Sequence, residues 1–138
     1  MGRLTKNFKE EEFFCKCPDP NCSGKEQGII NLELVQKIQE IRDLLDRKIF
    51  VVSGIRCPFW NTHEGGHRDS FHLPKWGLAS DLKTERAGSR KRIIELYLAA
   101  EKFGFNGLGF YGSFIHIDIG ERISRWVLRS GKYIYLFN

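Results

Sequence analysis

The sequence lacks any apolar run that approaches the roughly 20 residues needed to span a bilayer, so we expect no membrane partner. Residues 1–7 also lack the apolar core and the small-residue cleavage site of a secretory signal peptide. We therefore expect the chain to be made in the cytoplasm. Internal repeats and low-complexity segments are absent as well, and a hydrophobic content of 41% is ordinary for a soluble globular protein.

Basic residues are numerous, but they form no stripe interleaved with aromatic side chains, which is the pattern typical of nucleic-acid modules. The 22 Lys and Arg residues outnumber the 17 Asp and Glu residues and give a formal net charge of +5. This balance suits either an anionic polymer, such as a cell wall, or simply a solvated surface. Because the basic residues are scattered, we favour the solvated surface and expect no nucleic-acid partner.

The length of 138 residues predicts a single domain, since a second one would be hard to fit. A chain of this size buries roughly two thirds of its unfolded surface and can form a real core. Within the domain of residues 1–138, residues 1–28 are predicted to form an N-terminal arm with a cysteine-rich loop. We expect a monomer.

The spacing of apolar residues indicates two main helices and several short strands. One helix is predicted from Asn31 to about Lys48, and another from Ser89 to Gly104. Residues 8–14 favour a short helical turn, whereas residues 15–24 and 58–70 are predicted to be loops. Runs of β-branched and aromatic residues predict strands at residues 49–52, 78–83, 107–111, 114–119, 125–128 and 133–137. This order is typical of an α+β domain with a mainly antiparallel sheet.

Three of the four cysteines, Cys15, Cys17 and Cys22, lie in one predicted loop, and the fourth, Cys57, is distant in the sequence. They could form a structural metal site, although Cys-x-Cys followed by x4-Cys is not a standard zinc-finger spacing. A disulfide from Cys15 or Cys17 to Cys57 would instead suit an extracellular enzyme. Without a signal peptide, reduced thiols or a metal fit the expected compartment better. No feature of the sequence indicates a catalytic cysteine.

Three of the four histidines lie within residues 53–81, and the fourth, His116, lies in an alternating apolar and polar run. This alternation predicts that His116 and Asp118 share one face of a strand. His72, Asp81 and His116 could supply the three protein ligands of a catalytic zinc, which leaves its fourth position open for water. The competing interpretation is that each histidine is a satisfied core residue.

A series of short motifs occurs in a specific order along the chain. The motifs are Ser-Gly-x-Arg at residues 53–56, Asn61, Gly65-Gly66, Ser-x-His at 70–72, Gly-x-Ala-x-Asp at 77–81 and His-x-Asp at 116–118. This series resembles the zinc D-Ala-D-Ala carboxypeptidase and murein endopeptidase family, and the resemblance extends over nearly the whole chain. That family shares its metal-site fold with lysostaphin-type endopeptidases and hedgehog-type domains. The resemblance implies this fold, and it implies that His72, Asp81 and His116 bind zinc.

The resemblance also implies roles for three residues around the metal. It assigns Arg56 to the substrate, where a planar guanidinium can bind a carboxylate or a polarised carbonyl with two hydrogen bonds. Ser70 either lines the site and contacts substrate or forms a turn. His67 is a further candidate that either stabilises a developing oxyanion or shuttles a proton, and the alternative is an exposed loop residue without a role.

Two departures from the family pattern affect the expected site. The segment from His72 to Asp81 is two residues longer than is common, and loop length by itself costs little free energy. Many family members have Glu or Asp as general base three residues before the second histidine, but this position is Ser113. Asp118 is the nearest replacement. It is either the base for the activated water or a partner that orients a ligand imidazole.

The function implied by the resemblance is a zinc-dependent peptidase, acting as a D,D-carboxypeptidase or a murein endopeptidase. It would hydrolyse an amide bond in the stem or cross-bridge peptides of peptidoglycan, with one catalytic Zn²⁺ and a second, structural ion possible at the cysteines. The small size resembles a phage endolysin, which acts at the cell wall. The alternative is a catalytically inactive zinc-binding member that serves as a binding or structural module.

Overall fold

The computed structural model describes residues 2–85 and 89–137 as three helices and one six-stranded sheet. The helices are α1 (Leu32–Leu45), α2 (Pro58–His63) and α3 (Arg90–Lys102). The strands are β1 (Ile49–Ser53), β2 (Ala79–Thr84), β3 (Gly107–Phe110), β4 (Ile115–Asp118), β5 (Ser124–Arg129) and β6 (Lys132–Phe137). Two short 3-10 turns, Glu10–Phe13 and Ser23–Lys25, lie in the N-terminal arm. The α+β fold class is therefore confirmed.

Capping side chains account for the starts of the two long helices. The Asn31 side chain accepts hydrogen bonds from the backbone N–H groups of Glu33 and Leu34. At the other end, Asp46 follows the last helical residue, Leu45, and has a left-handed φ of 48°. The Ser89 hydroxyl accepts from the Arg92 N–H at the start of α3. Both predicted helices are confirmed, and α1 ends slightly earlier than expected. Within the described ranges, no helix combines the length and apolarity that crossing a bilayer demands.

The sheet has the strand order β1-β2-β4-β3-β5-β6. All neighbouring strands are antiparallel except β3 and β5, which are parallel. Strands β2 and β4 are neighbours in the interior of the sheet, and their register places Asp81 directly opposite His116. The predicted, mainly antiparallel sheet is confirmed, and its register brings two of the predicted metal ligands side by side.

One hydrophobic core lies between the helices and the sheet. Helix α1 packs on α3, and α3 packs on β2, β3 and β4. The N-terminal arm adds Phe8 and Phe13, both almost fully buried, and the helical turn predicted at residues 8–14 is the 3-10 turn Glu10–Phe13. Other fully buried side chains are Leu34, Ile38, Ile41, Leu82, Ile93, Leu96, Leu108, Ile115 and Ile117. This core fixes the strands that carry the candidate site.

The prediction that residues 58–70 form only a loop is wrong at its start, because Pro58–His63 is helix α2. Proline at the first helical position already has the required φ, and the Cys57 sulfur accepts a hydrogen bond from the Trp60 N–H at 3.5 Å. Six residues are too few for the apolar periodicity that reveals a helix in a sequence. This helix fixes the chain just after Arg56.

We expect the two faces of α3 to respond differently to the same substitution. Leu96 is completely buried, whereas Leu98 is 59% exposed. Leu96→Ala should lower the free energy of unfolding by about 2–5 kcal/mol, because it leaves a cavity in the core. The matched control Leu98→Ala should cost less than about 0.5 kcal/mol. Urea unfolding followed by circular dichroism measures both values, and equal losses would contradict this packing of α3.

Candidate metal centre

The structure brings His72, Asp81 and His116, hereafter the trio, into mutual contact. Their candidate ligand atoms all lie within 4.8 Å of one another. The Asp81 Oδ1 atom is 3.3 Å from His72 Nε2 and 3.2 Å from His116 Nδ1, and these two nitrogens are 3.3 Å apart. Asp81 and His116 come from adjacent strands, while His72 comes from the segment before β2.

The His72 ring is fully buried, and a backbone carbonyl fixes its orientation through a hydrogen bond. Its Nδ1 lies 2.6 Å from the Gly54 carbonyl oxygen, which can only accept, so Nδ1 carries the proton and Nε2 presents a lone pair to the trio. The extra length before Asp81 is taken up by turns, in which Trp76 and Gly77 both donate to the Leu73 carbonyl. The longer segment therefore still delivers His72 to the site.

The His116 ring is held by Asp118. Its Nε2 lies 2.7 Å from Asp118 Oδ2, so Nδ1 is the nitrogen directed at the trio. Asp118 is buried, and its Oδ1 accepts from the Gly120 N–H at 3.1 Å. Strand β3 passes so closely that a Cβ atom on Gly107 would lie 2.0 Å from the Asp118 carboxylate, and one on Gly109 would lie 2.3 Å from the Trp126 ring.

Burial and charge together set the protonation of the trio. Burial lowers the pKa of His72, and the Asp81 carboxylate offsets this only in part. Burial acts to raise the pKa of Asp81, but His72 and His116 outweigh it and hold that pKa well below its usual range. Burial also opposes the charged form of His116, yet hydrogen bonds with Asp118 and Asp81 prevail and raise its pKa to about 9. In the metal-free trio at neutral pH, His116 is therefore an imidazolium between two carboxylates.

The donor set and its spacing fit a zinc ion. Two imidazole nitrogens and one carboxylate oxygen are common zinc ligands, and three protein ligands leave one position open. A tetrahedral ion with bonds of about 2.0–2.2 Å separates its ligand atoms by about 3.3–3.6 Å. The observed separations of 3.2 and 3.3 Å are close to this range. Each imidazole also has a partner on its other nitrogen, as metal-binding histidines generally do.

Arg56 lies beside the trio with unused hydrogen-bonding capacity. Its guanidinium is mostly buried, and Nη1 is 4.0 Å from Asp81 Oδ2. Its backbone N–H donates to the His72 carbonyl at 2.8 Å, which ties the two segments together. Among the described residues, its Nε atom has no hydrogen-bond partner. A buried cation with a spare donor can bind an anionic or polarised group that enters the site.

Ser70, His67 and Ser113 are the remaining positions that the sequence analysis considered for the site. Ser70 is buried, and its hydroxyl accepts from the His72 N–H at 3.1 Å. His67 is exposed, and its described hydrogen bonds join it to Asn61, Asp69 and Ser70 rather than to the trio. Ser113 is exposed in the connection between β3 and β4.

Sequence reasoning missed several groups around the trio. The Gly54 carbonyl orients His72, but a backbone acceptor has no signature in side-chain identity. The Trp126 ring lies 5.0 Å from the His116 ring, and its Nε1 donates to the Tyr111 hydroxyl at 3.1 Å. Burial raises the pKa of Tyr111. The signals that the sequence offered for this aromatic group beside His116 were Tyr111, which follows β3, and Trp126 in β5.

A cleft of about 510 Å³ lies between α2 and the segment of residues 66–75. Its lining contains no member of the trio, but Leu73, which follows His72 directly, forms part of it. Other lining residues include Pro58, Asn61, Thr62, Arg68 and Lys75. The cleft is therefore next to the trio along the chain and has two cationic side chains in its wall.

We expect Asp118→Asn to lower the pKa of His116 by about one unit or more in protein stripped of metal by a chelator. A charged partner at hydrogen-bond distance commonly shifts a pKa by about 1–3 units. Because the folded pKa lies above the unfolded one of about 6.5, the related stabilisation is present below pH 6.5 and is lost as pH rises through about 9. An NMR titration measures the pKa. The exposed His63 is the internal reference, and an unchanged His116 would contradict the role given to this contact.

Comparison with known proteins agrees with this geometry. A family model described as Peptidase M15 matches residues 6–118, which is most of the chain and includes the whole trio. A search of curated proteins found no match to the chain. The M15 family is zinc-dependent, and membership supports a metallopeptidase. The chain therefore belongs to the peptidase M15 family, the zinc D-Ala-D-Ala peptidase family that its motifs resemble.

Proposed function

We propose that this protein is a zinc-dependent peptidase that hydrolyses an amide bond in the stem or cross-bridge peptides of peptidoglycan. The observation that carries the proposal is the trio, whose donor atoms are spaced as around a tetrahedral ion. Family membership supports peptide hydrolysis as the reaction. A zinc ion held there would polarise the scissile carbonyl and activate a water molecule near neutral pH.

In this proposal His72, Asp81 and His116 hold the ion, and Asp118 positions His116. Both Asp118 oxygens are already engaged, one by His116 Nε2 and the other by the Gly120 N–H. Fixing the imidazole orientation strengthens metal binding, and losing such a partner typically costs about 10–100-fold in affinity or activity. We therefore favour positioning over general-base catalysis as the role of Asp118.

Arg56 is the residue that we assign to substrate binding. Its Nη1 atom lies 4.0 Å from Asp81 Oδ2, and its Nε donor has no partner in the part of the chain that the structure describes. A guanidinium can bind either the terminal carboxylate that a carboxypeptidase recognises or the carbonyl of an internal amide. The remainder of the substrate would lie in the cleft beside α2, where Arg68 and Lys75 suit the acidic groups of an anionic peptide. Action at the cell wall, as by an endolysin, follows from this substrate.

A second candidate function is a zinc-binding module without hydrolytic activity. The observation that favours it is the lack of a free acid at the trio: Ser113 occupies the usual position of the base. Apart from Asp81 and Asp118, no carboxylate in the described part of the chain lies within hydrogen-bond distance of the trio. Such a protein would bind zinc and peptide but leave the amide intact.

We expect the purified protein to clear cell-wall material in a zymogram and His72→Ala to abolish the clearing. Loss of a ligand removes several kcal/mol of transition-state stabilisation, which corresponds to a fall of about a thousandfold or more. A chelator should have the same effect, and added zinc should reverse it. The matched control is His63→Ala, since His63 is an exposed histidine of α2 outside the trio. Wild-type protein that binds zinc but clears nothing would support the second candidate.

We expect Arg56→Lys to lower kcat/KM by about 10–100-fold without loss of bound metal, because it removes a charge-assisted hydrogen bond worth about 1.5–3 kcal/mol. The measurement uses two stem peptides that differ only in a free or an amidated terminal carboxyl. If Arg56 binds the terminal carboxylate, only the free acid is affected, as expected for a carboxypeptidase. Equal losses indicate binding of an internal carbonyl, and no loss for either peptide would contradict a substrate role.

A further inference from the structure

Four cysteine side chains from two distant parts of the chain gather in one place. The Sγ atoms of Cys15, Cys17, Cys22 and Cys57 all lie within 4.8 Å of one another. Cys15, Cys17 and Cys57 are buried, Cys22 is half-buried, and all four are free thiols. Disulfides hold sulfurs in separate pairs, whereas one group of four mutually close sulfurs matches the ligand shell of a single tetrahedral ion.

Hydrogen-bond donors surround the sulfurs of this cysteine cluster. The Cys57 N–H donates to Cys15 Sγ at 3.3 Å, and the Trp60 N–H donates to Cys57 Sγ at 3.5 Å. The Lys25 ammonium lies 3.4 Å from Cys17 Sγ and also donates to the carbonyl oxygen of Cys17. Such donors stabilise thiolates, which are the metal-binding form of cysteine, and the lysine offsets part of their negative charge. These donors would stabilise a neutral disulfide much less, because its sulfurs carry no negative charge.

The backbone of the N-terminal arm is shaped around the same cluster. Cys15 N–H donates to the Gly24 carbonyl at 2.9 Å, and Lys25 N–H donates to the Cys22 carbonyl at 3.1 Å. A Cβ atom on Gly24 would lie 2.6 Å from Cys15 Cβ, so the chain folds back here as closely as sterics permit. Among the hydrophobic side chains of the described residues, Trp60 is the only larger one that packs on the buried cysteines. So small a cluster stabilises this cysteine-rich loop of the arm only weakly, whereas a bound metal ion would stabilise it further.

We propose that the cysteine cluster binds a structural Zn²⁺ ion through all four thiolates. Four protein ligands fill the tetrahedral shell and leave no open position, so this site anchors the chain instead of reacting. Its anchoring reaches the trio, because Cys57 follows Arg56 directly and the Arg56 N–H donates to the His72 carbonyl. The second ion therefore fixes the N-terminal arm to the segment that carries the candidate substrate-binding arginine.

The decisive measurement is the zinc content of a variant that lacks the trio's imidazoles. We expect wild-type protein purified without added metal to carry about two zinc ions, and His72→Ala/His116→Ala to retain about one. Elemental analysis of the purified chains gives both values. The double variant is inactive under the proposed function, so its zinc content tests the cysteine site independently of peptidase activity. A double variant that contains no zinc would overturn the proposal.

Thiol alkylation of the wild-type chain keeps the proposal testable if the double variant does not fold. In native protein all four thiols should resist alkylation, and a strong chelator should make them reactive while releasing one zinc ion for the cluster. Replacement of zinc by cobalt should also give intense thiolate-to-metal charge-transfer absorption, which Cys17→Ser/Cys57→Ser should remove. Thiols that stay unreactive after denaturation without reductant are disulfides, and that result contradicts a metal site.

Discussion

The candidate site depends on the register between β2 and β4. Asp81 faces His116 across this antiparallel pair, and both side chains point to one face of the sheet. A slip of one residue in either strand would turn one of them to the opposite face, because side chains alternate with a period of two. The buried Leu82 and Ile115 are also opposite each other in this register. Core packing and the site thus select the same strand pairing.

Gathering two imidazoles and a carboxylate away from water is costly unless charge is compensated. In the metal-free chain the compensation is a proton on His116, which lies between the carboxylates of Asp81 and Asp118. A divalent cation can compensate the negative charge instead, once it displaces the proton from His116 Nδ1. Metal binding and protonation therefore compete at this nitrogen. The fixed contacts of His72 with Gly54 and of His116 with Asp118 mean that the rings need little reorientation when the exchange occurs.

The sequence predicted the parts of the structure that rest on long patterns or on ordered motifs. The periodicity after Asn31 revealed α1, and the order of the motifs brought His72, Asp81 and His116 together as a hypothesis. Helix α2 was missed because six residues give no periodicity, and the parallel pairing of β3 with β5 has no local signature. Nor could spacing show that Cys57 meets the three cysteines of the loop, since such a contact depends on how the arm folds back onto the segment after Arg56.

Strand β3 passes His116, Asp118 and Trp126 with no room for side chains at Gly107 and Gly109. Even a single methyl group at either position would overlap the Asp118 carboxylate or the indole, so both sites are closed to every other amino acid while their neighbours stay in place. Natural variation in such a protein would have to change these glycines jointly with the groups that they accommodate. The bare backbone of β3 thereby limits which substitutions the metal centre can accept at these two positions.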